Sequence, residues 1–325
     1  MHLPALLAVA AFGLLLDLAN GTSFIWPRND TVVSANPSGS GIGTMGVQWA
    51  NWKDFGRISP YPDPLPASHL DALTKWAESH PDGRVMVVIV ESLGAHRDEA
   101  IRDWLDRHLL EGIDSEGRIE HGLLFSRGAT TAGELRTLCA LAGAYYRVTT
   151  DAAAGCLPRH FQRLGWASTA LHGFTGRMFD RRTWWPLLGF DHLLFAEDLQ
   201  TPAAPKCGLA FRGACDVDVL RHAAQVLQAP RSLAYVLTLN THLPSAPIAP
   251  EPELVALCKV QRSDDEVCGF VQSLGQVLSS VRQVLKDLPE DTALLLVGDH
   301  PPPFARPTQR IQFLDTQVPY YLVLP

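Results

Sequence analysis

The run Arg84-Val-Met-Val-Val-Ile-Val-Glu91 constrains the fold more than any other feature: six consecutive apolar residues, mostly β-branched, closed by a carboxylate. Such a run is buried on both faces when it lies inside a parallel sheet with helices on either side. Similar runs recur at Ala167 to Leu171, Leu233 to Leu239, Thr292 to Val297 and Tyr320 to Leu324. Between them, Asp216 to Leu227 and Val267 to Leu288 carry apolar residues at three- and four-residue spacing, as amphipathic helices do. This alternation predicts an α/β fold, a three-layer α/β/α sandwich without internal repeats. At 325 residues and 46% hydrophobic content, the chain can bury a large core, and one main domain is expected.

A net charge of −7 without a basic stripe argues against nucleic acid as a partner. Leu3 to Ala19 is almost wholly apolar, broken only by Asp17. With only His2 before it in place of a basic leader, it reads as a membrane-anchor helix or the last span of a longer parent; a removed signal peptide and a core helix are the alternatives. The chain therefore divides into an anchor or signal segment over 1–20, a linker wrapping on the catalytic body over 21–82, and a catalytic domain over 83–325. The linker is rich in Gly, Ser, Pro and Asn, with a short helix near Ser68 to Ser79. Its aromatic residues Trp49, Trp52 and Phe55 either dock on the body or touch the membrane interface.

Six cysteines, Cys139, Cys156, Cys207, Cys215, Cys258 and Cys268, fall into three sequence-local pairs. Behind an exporting N-terminus this reads as three disulfides closing short loops, although sequence alone allows fifteen connectivities, with six free thiols in a cytosolic protein as the alternative.

The candidate chemistry sits at strand ends. Glu91 closes one apolar run and Asp299-His300 follows another, at the carboxyl edge where open α/β sheets build their sites. Two carboxylates and an imidazole hold a divalent cation and leave positions open for a nucleophile and a phosphate oxygen. The segment Gly128-Ala-Thr-Thr-Ala-Gly-Glu-Leu135 supplies hydroxyls. Thr131 with Glu134 has the pattern of a capping box, which leaves Thr130 just outside a helix start that favours phosphate. Each feature alone has a plainer reading as a polar turn or a capped helix.

Together these residues resemble the lipoteichoic acid synthase group, sulfatase-like members of the alkaline phosphatase superfamily. The likeness is carried by Glu91 in Val-Glu-Ser-Leu-Gly, the Gly-x-Thr-x-x-x-Glu-Leu segment, His172-Gly-Phe with Phe179-Asp-Arg181 and Leu188-Gly-Phe-Asp191, Thr241-His-Leu-Pro244 and Gly298-Asp-His-x-Pro-Pro-Phe, over about residues 84–325. It implies that Glu91, Thr130, Asp299 and His300 hold one divalent metal ion, manganese foremost, with zinc or magnesium as alternatives. Thr130 is then the nucleophile, forming a phospho-threonine intermediate, and Arg181 contacts the phosphate. His242 contacts substrate or relays a proton, Phe179 borders the head-group pocket, and His172 either borders it too or makes a structural hydrogen bond. Phe179 stands where the group usually has tryptophan, and Asp180 where it often has asparagine.

The activity implied is transfer of phosphoglycerol or phosphoethanolamine from a phospholipid donor to an envelope glycan or lipid acceptor. The place implied is a bacterial inner membrane with the catalytic domain in the periplasm or outside. A hydrolase of the same fold and an inactive glycan- or lipid-binding module are the competing readings. A sulfatase proper needs Cys/Ser-x-Pro-x-Arg, and Cys156-Leu-Pro-Arg-His160 lacks the final arginine. Cys156 is therefore read as the partner of Cys139.

Overall fold

A computed structural model describes residues 56–113, 118–199, 205–246 and 248–325. The apolar stretch 3–19 and Trp49, Trp52 and Phe55 lie outside the described residues. Among the described residues, no helix is long and apolar enough to cross a membrane.

In chain order the elements are β1 (Ser59–Pro60), α1 (Leu65–Ser79), β2 (Arg84–Val90), α2 (Glu99–Leu110), β3 (Arg118–Phe125), α3 (Thr130–Cys139), β4 (Leu141–Ala142), α4 (Leu157–Arg163), β5 (Ala167–His172), α5 (Arg181–Leu188), β6 (His192–Leu194), α6 (Ala196–Leu199), α7 (Asp216–Val226), β7 (Ser232–Leu237), α8 (Pro252–Gln261), α9 (Asp265–Lys286), β8 (Thr292–Gly298), α10 (Pro307–Arg310) and β9 (Gln317–Leu324). A seven-stranded sheet runs β3-β9-β8-β2-β7-β5-β6. The first apolar run is its central strand, parallel to β7 on one side and β8 on the other.

Strand alternation sends β2 into two cores. Met86, Val88 and Val90 pack with Trp104 of α2, Leu220 of α7 and Phe270 and Leu274 of α9. Val85, Val87 and Ile89 pack with Leu73 and Trp76 of α1, Leu135 of α3, Phe161 of α4 and Trp185 of α5. Helices thus cover both faces, as the unbroken hydrophobicity of the strand requires. The segment read as linker contributes one of those helices. α1 starts at Leu65, whose N–H donates to Asp63 Oδ1, and it is tied to the chain end by a bond from Trp76 Nε1 to the Pro325 carbonyl.

The sheet is mixed rather than wholly parallel, because β9 runs antiparallel to both β8 and β3. A parallel neighbour needs a crossover that carries the chain back to the opposite edge. The connection from β8 to β9 contains only the four-residue α10, so the chain returns antiparallel. β3 escapes the hydrophobic reading because it is an edge strand, largely exposed over Arg118 to His121.

The three disulfides join Cys139 to Cys156, Cys207 to Cys215 and Cys258 to Cys268. The local pairing is as expected, and no free cysteine occurs among the described residues.

Three buried histidines make stability pH-dependent. Burial pulls His69 and His96 down to about 4 and His172 to about 3, from 6.5. Folded values below the unfolded one mean stability that is full above pH 6.5 and is lost as pH falls toward 4, by up to about 1.4 kcal/mol per pH unit for each histidine. Urea unfolding followed across this window should show that loss. His69→Leu should remove about one proton's share of it; an unchanged pH dependence would reject the assignment.

Candidate metal centre

Glu91 follows β2, and Asp299 and His300 follow the adjacent β8, so the parallel register delivers all three to one edge. Their ligand atoms lie within 4.8 Å of one another, and all three residues are buried at the site. His300 Nε2 is 3.5 Å from Glu91 Oε1 and 3.3 Å from Asp299 Oδ2. α3 adds the hydroxyl of its first residue: Thr130 Oγ1 donates to Glu91 Oε2 at 3.1 Å and stands 3.4 Å from His300 Nε2. The four side chains singled out as ligands therefore meet at one point.

The surrounding bonds orient these atoms. Asp299 Oδ1 accepts the backbone N–H groups of Ser92 and His300, both at 2.7 Å, while buried Oδ2 has no hydrogen-bond partner among the described residues. An orphaned carboxylate oxygen costs free energy unless a cation meets it. His300 Nδ1 lies 2.9 Å from the Pro301 carbonyl. A carbonyl only accepts, so Nδ1 carries the proton and the Nε2 lone pair faces the carboxylates, the arrangement of a metal-ligating imidazole. Ser92 Oγ donates to Glu91 Oε1 from a residue at φ 58°. That left-handed conformation is strained for serine and turns the chain sharply after Glu91.

Charge points the same way. Burial, then the neighbouring Glu91 charge, pushes Asp299 up to about 7. For Glu91, burial pushes upward, but His300, His242 and the Ser92 hydroxyl outweigh it and hold the carboxyl low. For His300, burial opposes protonation, yet Asp299 and Glu91 together raise it. Two buried carboxylates compete for too little positive charge, and a divalent cation resolves the competition. The donor set of oxygens plus one imidazole fits manganese, zinc or magnesium.

Sequence reasoning missed the frame beneath the ligands. Arg136, 1% exposed, donates to the Gly298 and Asp299 carbonyls and to Ser126 Oγ, which also bonds the Asp299 carbonyl. Thr241 Oγ1 donates to the Glu91 carbonyl at 2.5 Å. Gly133 lets α3 approach, since a Cβ there would lie 2.9 Å from Asp299 Cβ and 3.0 Å from its Cα.

The capping box does not form. α3 begins at Thr130, after Ala129, with no side-chain cap. Glu134 is fully buried instead: Oε1 accepts Arg181 Nε at 3.1 Å and Nη2 at 2.8 Å, and Oε2 accepts Trp185 Nε1 at 2.8 Å and the Tyr235 hydroxyl at 3.2 Å. These charged and aromatic donors in an apolar layer hold the carboxylate better than a reach back to the helix start.

Arg181 is thus held against Glu134 in the second turn of α3, 2% exposed, with its guanidinium 5.1 Å from the Phe179 ring centre. Phe179 and Asp180 both have positive φ, 55° and 51°. His242 lies beside Glu91, edge-on to Phe211 at 4.4 Å, and its buried Nδ1 has no partner among the described residues. His172 is buried at the end of β5, with Nδ1 against the Leu237 carbonyl at 3.0 Å.

Comparison with solved structures gives the same architecture. The lipoteichoic acid synthase LtaP from Listeria monocytogenes is 14% identical with a TM-score of 0.55, covering 80% of this chain and 71% of its own. The Streptococcus pyogenes phosphoglycerol transferase GacH, solved with sn-glycerol-1-phosphate, is 18% identical with a TM-score of 0.53, covering 79% and 74%. At these identities the likeness is one of fold. No curated protein matches the sequence. A family model described as Sulfatase matches residues 84–320, a span that takes in every residue of the candidate centre. By that match the chain belongs to the sulfatase family, within the alkaline phosphatase superfamily.

Proposed function

We propose that the protein is a metal-dependent transferase that moves a phosphoglycerol or phosphoethanolamine head group from a phospholipid to an envelope glycan or lipid. The observation that carries this reading is the Thr130 hydroxyl, bonded to Glu91 and beside His300 at the start of α3, next to an orphaned Asp299 oxygen. Glu91, Thr130, Asp299 and His300 would hold the ion, manganese in our reading, with zinc or magnesium able to substitute. When bound there, it neutralises phosphate oxygens and favours an alkoxide on the threonine.

In the first half-reaction Thr130 Oγ1 forms a bond to phosphorus, its proton passing to Glu91 Oε2. The bond to the diacylglycerol oxygen breaks, and that oxygen takes a proton from His242. In the second, an acceptor hydroxyl gives its proton to His242 and attacks the phospho-threonine, and Thr130 recovers its proton from Glu91. The backbone N–H groups at the start of α3 favour the phosphate charge. Phe179 borders the head group. Arg181 gives Nε and Nη2 to Glu134 and, in our reading, contacts the phosphate through Nη1. His172 fixes the ends of β5 and β7.

Sulfate ester hydrolysis by a modified cysteine has no support. Cys156 is bonded to Cys139 at the far end of α3, which a rise of about 1.5 Å per residue puts roughly 14 Å from Thr130. Three disulfides favour an oxidising compartment. We read the catalytic domain as periplasmic or extracellular, held at the membrane by the apolar N-terminal stretch.

Head-group-labelled phosphatidylglycerol and phosphatidylethanolamine test the reading. Label on a glycan or lipid acceptor together with diacylglycerol is the expected result. Free head-group phosphate alone would replace transfer by hydrolysis. Chelation should silence the protein, and manganese, zinc and magnesium should restore it to different degrees; full turnover in excess chelator would reject the metal.

A further inference from the structure

The loop closed by the Cys207–Cys215 disulfide has no role in the chemistry above, yet its Phe211 packs against His242. The backbones of Cys207 and Gly213 exchange two hydrogen bonds of 3.0 Å, and Ala214 N–H donates to the Gly173 carbonyl at 2.7 Å. Within this clamp Phe211 meets His242 edge-on at 4.4 Å and Phe174 at 5.4 Å. Two residues away, Leu209 points outward with 55% of its surface exposed. Lys206 and Arg212 flank it, both exposed and neither in an ion pair with a described carboxylate. A disulfide-clamped loop that presents a leucine between two exposed cations stands out in a chain of net charge −7.

We propose that this loop docks on an anionic phospholipid bilayer: Leu209 enters the interface while Lys206 and Arg212 pair with lipid phosphates. An apolar tip with a cationic collar has the chemistry of an interfacial anchor. Two residues span at most about 7 Å, so a leucine seated in the interface keeps Phe211, and His242 beneath it, within reach of a lipid head group. The inference rests on the reading of the donor as a phospholipid.

The test uses the full chain with two donors, soluble bis-p-nitrophenyl phosphate and vesicles of phosphatidylglycerol and phosphatidylethanolamine. Leu209→Asn and the pair Lys206→Glu/Arg212→Glu should leave soluble turnover within about twofold of wild type, because none of these residues faces the reacting groups. On vesicles kcat/KM should fall roughly tenfold for the charge reversal and several-fold for Leu209→Asn, and high salt should mimic the former. Wild-type turnover on vesicles by both variants overturns the proposal. So does loss on charge reversal with Leu209→Asn silent, which marks a soluble polyanion instead. Wild-type protein inert toward both donors would overturn the transferase reading itself, and the docking inference with it.

Discussion

Thr130→Ala should lower phosphodiester turnover by on the order of a thousandfold or more, with Tm changed by no more than a few degrees. The hydroxyl is the group in the cluster best placed to attack: it lies at the first residue of α3, bonded to Glu91 Oε2 and 3.4 Å from His300 Nε2. Its removal leaves the helix intact, because alanine suits the first turn and no side-chain cap is lost. Thr130→Ser keeps the oxygen and should keep measurable turnover, whereas a hydroxyl needed only for shape would make the two variants alike. Isothermal titration with manganese separates the nucleophile from the ligand role. Loss of one neutral donor from a site with two carboxylates and an imidazole should weaken the ion but not abolish it. Alanine protein with unimpaired turnover would exclude covalent catalysis at this position.

Much of this centre can be read before any coordinates exist, because each ligand ends or follows an element whose hydrophobic pattern is strong. Glu91 and Asp299-His300 follow apolar runs, and a parallel sheet obliges neighbouring runs to open at the same edge. The frame under the ligands is different in kind. Arg136 and Ser126 act on backbone carbonyls of Gly298 and Asp299, more than 160 residues away, and no periodicity encodes such a bond. The same holds for the two strands of the seven-stranded sheet that carry no such run. β3 shows a half-polar edge and β6 is three residues long, so neither carries an apolar run. Glu134 is the instructive case. Its spacing from Thr131 satisfies the capping pattern, but local spacing is overruled by an arginine 47 residues, a tryptophan 51 residues and a tyrosine 101 residues further along the chain.

That buried cluster yields the largest stability effect expected outside the apolar core. Glu134→Leu leaves the Arg181 guanidinium, 2% exposed, without a counter-charge, and such a rupture costs about 3–5 kcal/mol. For a domain of this size the Tm should fall by roughly 10 °C. The double substitution Glu134→Leu/Arg181→Met removes both charges and should recover part of the loss, since a buried ion pair owes little net stability to its mutual attraction once desolvation is counted. Recovery should stop short of wild type by about 1–3 kcal/mol, because Trp185 Nε1 and the Tyr235 hydroxyl lose their acceptor. Calorimetry on the single and double variants decides between this account and one in which Glu134 merely caps a helix: a cap is worth about 1 kcal/mol and gains nothing from a second change at Arg181. Turnover in the double variant adds a second reading. If the pair fixes α3 under Thr130, turnover should stay low even where stability has returned, because the helix that aims the nucleophile has lost its tether to α5.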